Sequence, residues 1–147
     1  KIKYAKRTAL MFSKVMQKKL GIPKSNSFVL LDKKATQGNI KNRFRIMLRR
    51  VAKGDKIYFY YNGHGIPVPN LKNEPFMLAS DSYVDFISDE KFFSLKNIYT
   101  MLSNSKASRI VAFVDSCFSG ATDAKTIIKG VAATRLIPKK ITFDKHK

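Results

Sequence analysis

Two short apolar runs, at residues 57–61 and 110–114, limit the fold of this 147-residue chain more than any other feature. Ile57-Tyr58-Phe59-Tyr60-Tyr61 and Ile110-Val111-Ala112-Phe113-Val114 contain no charge and no polar alternation. A continuous apolar run of strand length fits a strand covered on both faces, as in parallel sheets. Neither run reaches the ~18 residues that a membrane helix needs. Segments of helical spacing lie between and before them. Tyr4, Met11 and Val15, with Phe12, Met16 and Leu20, predict a helix over residues 4–20, stopped by Gly21 and Pro23. Thr36 is the expected N-cap of a second helix, whose inner face is Ile40, Phe44, Met47, Leu48 and Val51. Leu95, Ile98 and Leu102 mark a third over 94–105. Residues 27–31 read as a short strand, 76–79 as a short extended piece, and 66–75, with three prolines, as a loop. This rhythm predicts one α/β domain with a mainly parallel sheet. Such sheets carry their chemistry just beyond the carboxyl ends of the strands.

Charge is the next constraint. The net charge is +19, and residues 1–56 hold seventeen Lys or Arg against Asp32 and Asp55. A basic half raises a nucleic-acid or anionic-surface reading. Arg43, Arg45, Arg49 and Arg50 are the residues on which nucleic-acid binding would rest. No zinc-finger, RNA-recognition or Arg-rich-tail signature accompanies them, so nucleic acid is not the expected partner, and a solvated basic surface is the plainer reading. One cysteine, Cys117, rules out an intrachain disulfide and a four-cysteine zinc site. The chain starts at Lys1 with no signal-peptide pattern, which leaves the cytoplasm as the expected compartment.

Each apolar run ends in a motif suited to chemistry. After the first comes Asn62-Gly63-His64-Gly65, and after the second Asp115-Ser116-Cys117-Phe118-Ser119-Gly120. A lone histidine is usually structural, and a lone cysteine is usually a small buried hydrophobe. Position changes that balance here, because strand-end loops carry sites. Gly63 and Gly65 are expected to permit a sharp turn and to leave room for a substrate backbone. A thiolate in the second loop could be activated by a neighbouring imidazole. The histidine precedes the cysteine by 53 residues, close to the ~50 of caspases and opposite to the papain order. Other cysteine and phosphate chemistries fit worse. Asp123 stands where a phosphatase loop needs Arg, no second cysteine makes a redox motif, and no Walker A loop is present.

Tyr60-Tyr61-Asn62-Gly63-His64-Gly65 and Ala112 through Gly120 together resemble the caspase-like cysteine peptidases, within them the metacaspase and bacterial branch. The resemblance covers about residues 4–130, with Asn62 standing where a serine is usual. It implies a three-layer caspase-like fold, here incomplete, with the first strand and the small-subunit half outside these residues. Residues 1–147 are then a partial peptidase domain, with 136–147 a linker or tail, and the rest of that domain is a partner. The implied chemistry is peptide hydrolysis by Cys117 as nucleophile and His64 as base, with backbone amides of Gly65 and Cys117 as the oxyanion hole. Asp115 is implied as the substrate-binding acid that selects Arg or Lys before the cleaved bond. No cofactor is required for that chemistry. Calcium is a candidate ligand, with Asp89 and Glu90 the foremost donors among Asp81, Asp85 and Asp123. Self-cleavage within or just after residues 135–147 is also expected. The alternatives are a catalytically silent caspase-fold module and a nucleic-acid-binding α/β domain.

Overall fold

The computed structural model describes Ile2, residues 4–118 and the backbone of residues 121–122 and 125–126. Helix α1 (Ala5–Leu20) ends at Gly21, whose φ of 66° is a left-handed cap that glycine adopts without strain. Helix α2 (Gln37–Arg50) starts at Thr36, whose hydroxyl accepts a hydrogen bond from Asn39 N at 3.2 Å. Strand β1 (Lys56–Asn62) leads into a hairpin of β2 (Gly65–Val68) and β3 (Glu74–Met77). Helix α3 (Leu95–Ser103) is capped by Ser94, which accepts from Asn97 N at 3.3 Å. Strand β4 (Arg109–Asp115) follows, and two-residue strands at Ala121–Thr122 and Lys125–Thr126 pair antiparallel beyond it.

β1 and β4 pair in parallel, in register from Lys56–Arg109 to Asn62–Asp115. Side chains alternate across the sheet, and the two faces acquire different helices. On one face Phe59 meets Phe44 of α2 edge-on, with ring centroids 6.2 Å apart. On the other, Tyr60 stacks on Phe12 of α1 at 4.4 Å, and Phe113 meets the same ring at 5.1 Å. The result is a mixed α/β arrangement of three layers, α1, sheet, and the core side with α2. The core lies on that second side. Ile66, Phe76, Met77, Phe93, Ile98 and Leu102 are almost wholly inaccessible there, whereas no residue of α1 is buried.

Three local expectations change. The prolines read as a loop instead lie within a hairpin. Pro67 and Pro75 face each other in the β2–β3 register. Leu78 N donates to His64 O, which makes Gly65–Met77, and two residues on Pro67–Pro75, pairs that exchange no ladder bond. Neither missing N–H therefore costs the hairpin anything. Residues 27–31 form no strand; Leu31 is extended, but no described strand lies beside it to complete a ladder. The 110–114 run is less buried than its composition suggests. Ile110 and Val114 pack on the core, while Ala112 and Phe113 are exposed, because β4 pairs only with β1 among the described residues and α1 contributes one ring.

The basic half is partly folded onto itself. The guanidinium groups of Arg43 and Arg50 both lie 5.7 Å from the Phe28 ring, and Arg50 also donates to Ser25 O at 3.2 Å.

Candidate active site

The parallel pair ends on the rung Asn62–Asp115, where both chains leave the sheet together. Two hydrogen bonds tie the exits. Asn62 Nδ2 donates to Asp115 Oδ2 at 3.0 Å, and Gly63 N donates to Asp115 O at 3.4 Å. His64 stands two residues beyond Asn62, and Cys117 two beyond Asp115, so both motifs leave the carboxyl end of the sheet from one rung. Cys117 is exposed and His64 half-buried.

The loops touch again further out. A Cβ placed on Gly65 would lie 2.2 Å from Phe118 Cε1 and 2.8 Å from Ser116 Oγ. One on Gly63 would lie 2.3 Å from Tyr61 Oη. Neither glycine has positive φ; among the described glycines only Gly21 and Gly54 do. Gly63 still forms the bend expected between the two strands, but it does so without a left-handed backbone. The room left by each missing side chain is filled by the protein's own atoms, Tyr61 behind one glycine and the cysteine loop behind the other.

The histidine loop is held from the core side. His64 O accepts from Leu78 N at 2.9 Å and from the Tyr61 hydroxyl at 2.5 Å. Leu78 N also reaches Tyr61 Oη at 3.1 Å. Because Gly65 sits in a pair with no ladder bond, its own N–H is directed away from β3. Burial holds the Tyr61 phenol well above its ordinary range, so the hydroxyl keeps its proton and remains a donor. Sequence reading missed Tyr61. The uniformly apolar run gives no signal for it; the two-residue repeat of the strand places it with Ile57 and Phe59 once the core face is known.

Asp115 is exposed at the strand end, with one carboxylate oxygen held by Asn62. Two of the acids considered for calcium have protein partners. Glu90 pairs with Lys41 at 2.5 Å, and with its amide turned Gln37 also donates to Glu90. Asp81 Oδ1 accepts from Gln37 N at 2.8 Å, at the first turn of α2, where a carboxylate is electrostatically favoured. Asp89 joins no group of three or more metal-ligating side chains among the described residues. Asp123 lies outside the described residues, as does the 135–147 segment. Two surface hollows lie away from the motifs, one along α1 at Tyr4, Leu10 and Met11, and one beside β3 at Phe76, Ser94 and Asn97.

The family model for the metacaspase, peptidase C14 domain matches residues 7–124. No curated protein and no solved structure shows significant similarity to the chain. The match takes in both motif loops, and the chain belongs to the metacaspase peptidase C14 family, a family of caspase-like cysteine peptidases acting on proteins. None of the described helices is long and apolar enough to cross a membrane.

Proposed function

We propose that this metacaspase-family chain hydrolyses peptide bonds with Cys117 as the nucleophile and His64 as the general base, cutting after Arg or Lys. The observation that carries the reading is the common rung: Asn62 and Asp115 pair, and each motif residue follows two positions later. An exposed thiol and a half-buried imidazole, each two residues past the last rung of a parallel pair, suit nucleophilic catalysis.

His64 accepts the thiol proton, and the Cys117 sulfur attacks the substrate carbonyl carbon. The C=O electron pair moves to oxygen, which the backbone N–H groups of Gly65 and Cys117 stabilise. Collapse of this adduct breaks the C–N bond, and the imidazolium gives its proton to the departing amine. Water, losing a proton to His64, then attacks the thioester. The acid product leaves and the thiol is restored. The step requires no cofactor. Asp115 supplies the preference: a carboxylate oriented by Asn62 attracts a guanidinium or ammonium and repels an acidic side chain. The same Cys117 is proposed to cut the chain within or just after residues 135–147, where Arg135, Lys139 and Lys140 offer basic sites.

The test is an assay of the full-length protein on fluorogenic peptides ending in Arg, Lys or Asp, with calcium and with a chelator. Cleavage after Arg and Lys, lost in Cys117→Ala and in His64→Ala with the fold intact, is the expected result. Turnover unchanged in either variant, or cleavage only after Asp, would overturn it.

A further inference from the structure

We propose that Tyr61 is a positioning residue: its hydroxyl, by holding the His64 carbonyl, sets the plane of the His64–Gly65 peptide and so aims the Gly65 N–H. This rests on the reading of Gly65 as an oxyanion donor.

The geometry is a property of one peptide unit. A trans peptide is planar, and its C=O and N–H point in opposite directions. All described peptide bonds are trans. Whatever fixes the His64 oxygen therefore fixes the Gly65 N–H on the far side of the same plane. Two donors converge on that oxygen, Leu78 N at 2.9 Å and Tyr61 Oη at 2.5 Å. Leu78 alone would leave the plane free to rock about the hairpin's terminal bond, since Gly65 faces Met77 without a ladder bond of its own. The Tyr61 hydroxyl supplies the second point: Leu78 O also lies within reach of its one proton at 3.0 Å, and His64 O is the nearer acceptor.

The rest of the surroundings fit that role. Tyr61 is the penultimate residue of β1, on the face turned to the core, so its ring is held by packing. Its Oη occupies the space that a Gly63 side chain would need, which brings the loop down onto the hydroxyl. Gly65 is closed on its other flank by Phe118 and Ser116. The donor peptide is thus wedged between a hydrogen-bonded phenol and the cysteine loop. A donor fixed before substrate arrives loses no reorganisation energy as charge develops on the carbonyl oxygen. Removing the phenol oxygen should therefore slow the chemical step and spare substrate binding.

The experiment uses the full-length protein with Tyr61→Phe, and with 4-aminophenylalanine at position 61 to restore a donor on the same ring. It measures kcat and KM for an Arg-terminated peptide, and the Gly65 amide resonance. Tyr61→Phe is expected to lower kcat about tenfold, equivalent to roughly 1.4 kcal/mol, with KM changed less than about twofold. It should also move the Gly65 resonance, and the amino variant should recover most of the lost kcat. An unchanged kcat, or a Gly65 resonance that does not move, would overturn the proposal. Should Tyr61→Phe fail to fold, the amino variant decides: near-normal kcat supports the role and a tenfold loss refutes it. If the unsubstituted protein cleaves nothing, the peptidase reading falls, and the Gly65 resonance still decides whether Tyr61 sets the peptide.

Discussion

Asn62 reaches across the last rung of the parallel pair and holds Asp115 Oδ2 at 3.0 Å. The same amide nitrogen lies 3.2 Å from Tyr60 Oη, and its two N–H groups serve the two partners. The Tyr60 ring is itself stacked on Phe12 of α1. A chain of contacts therefore runs from the outer helix to the acid proposed to select substrate. In the sequence Asn62 reads only as a departure from the usual serine of the motif. In the fold it ties the two motif loops together.

Asp115→Asn is expected to lower kcat/KM for Arg-terminated peptides by roughly tenfold to a hundredfold, the range for losing a hydrogen bond to a charged group. Asn62→Ala, which leaves the carboxylate but frees its orientation, should cost about threefold to tenfold on the same scale. Since one residue acts through the other, the double variant should lose less than the two single losses combined. Fully multiplicative losses would separate the two residues functionally.

Cys117 is the chain's one cysteine, so alkylation reports on it alone. An unassisted thiol, with a pKa near 8.5, is only a few per cent thiolate at pH 7. If His64 draws off that proton, His64→Ala should slow iodoacetamide labelling at pH 7 by about tenfold and leave the rate near pH 10 almost unchanged. Equal rates in both proteins at pH 7 would separate the imidazole from the thiol.

Gly65→Ala places a methyl group where Phe118 already stands. Overpacking of this kind costs about 1–3 kcal/mol, and at this chain length each kcal/mol lowers the melting temperature by roughly 2–4 °C. Trimming the obstacle with Phe118→Ala in the same chain should recover part of the interaction penalty beyond the separate cost of losing the buried ring. A double-mutant cycle on thermal midpoints measures it; simple additivity would place Phe118 out of reach of the glycine.

Much of this arrangement is legible in the sequence alone. The two apolar runs became the two parallel strands, and Thr36 capped α2 as its position suggested. Both motifs fell at the carboxyl ends, as parallel sheets dictate. The hairpin was hidden because three prolines argue against a strand, and only the register shows that Pro67 and Pro75 share a rung that needs no N–H. The ion pair of Glu90 was hidden because its partners Lys41 and Gln37 lie about fifty residues away in sequence. The glycines hide their packing in a third way. Composition tells that a side chain is missing, but not whether substrate or protein fills the gap, and here Tyr61 and Phe118 fill it.

Tyr61 should also mark the alkaline limit of stability. Burial raises its phenol pKa in the folded state, with the hydrogen bond to Leu78 acting weakly in the opposite direction. In the unfolded chain a tyrosine loses its proton near pH 10. Below that pH both states hold the proton, and the hydroxyl's contribution is fully present. Above it the unfolded chain binds fewer protons than the folded one, so stability falls as pH rises toward the folded pKa. Tyr61→Phe cannot titrate there. The stability difference between the unsubstituted protein and Tyr61→Phe should thus be constant from pH 8 to about 9.5 and shrink steadily above pH 10. Tyr99, whose phenol burial also raises, is present in both proteins and cancels from the comparison. Urea midpoints at four or five pH values between 8 and 11 measure the difference. A gap that stays constant to pH 11 would mean that the folded protein lets the Tyr61 phenol ionise as freely as the unfolded chain does, and would remove the buried, always-protonated donor from the site.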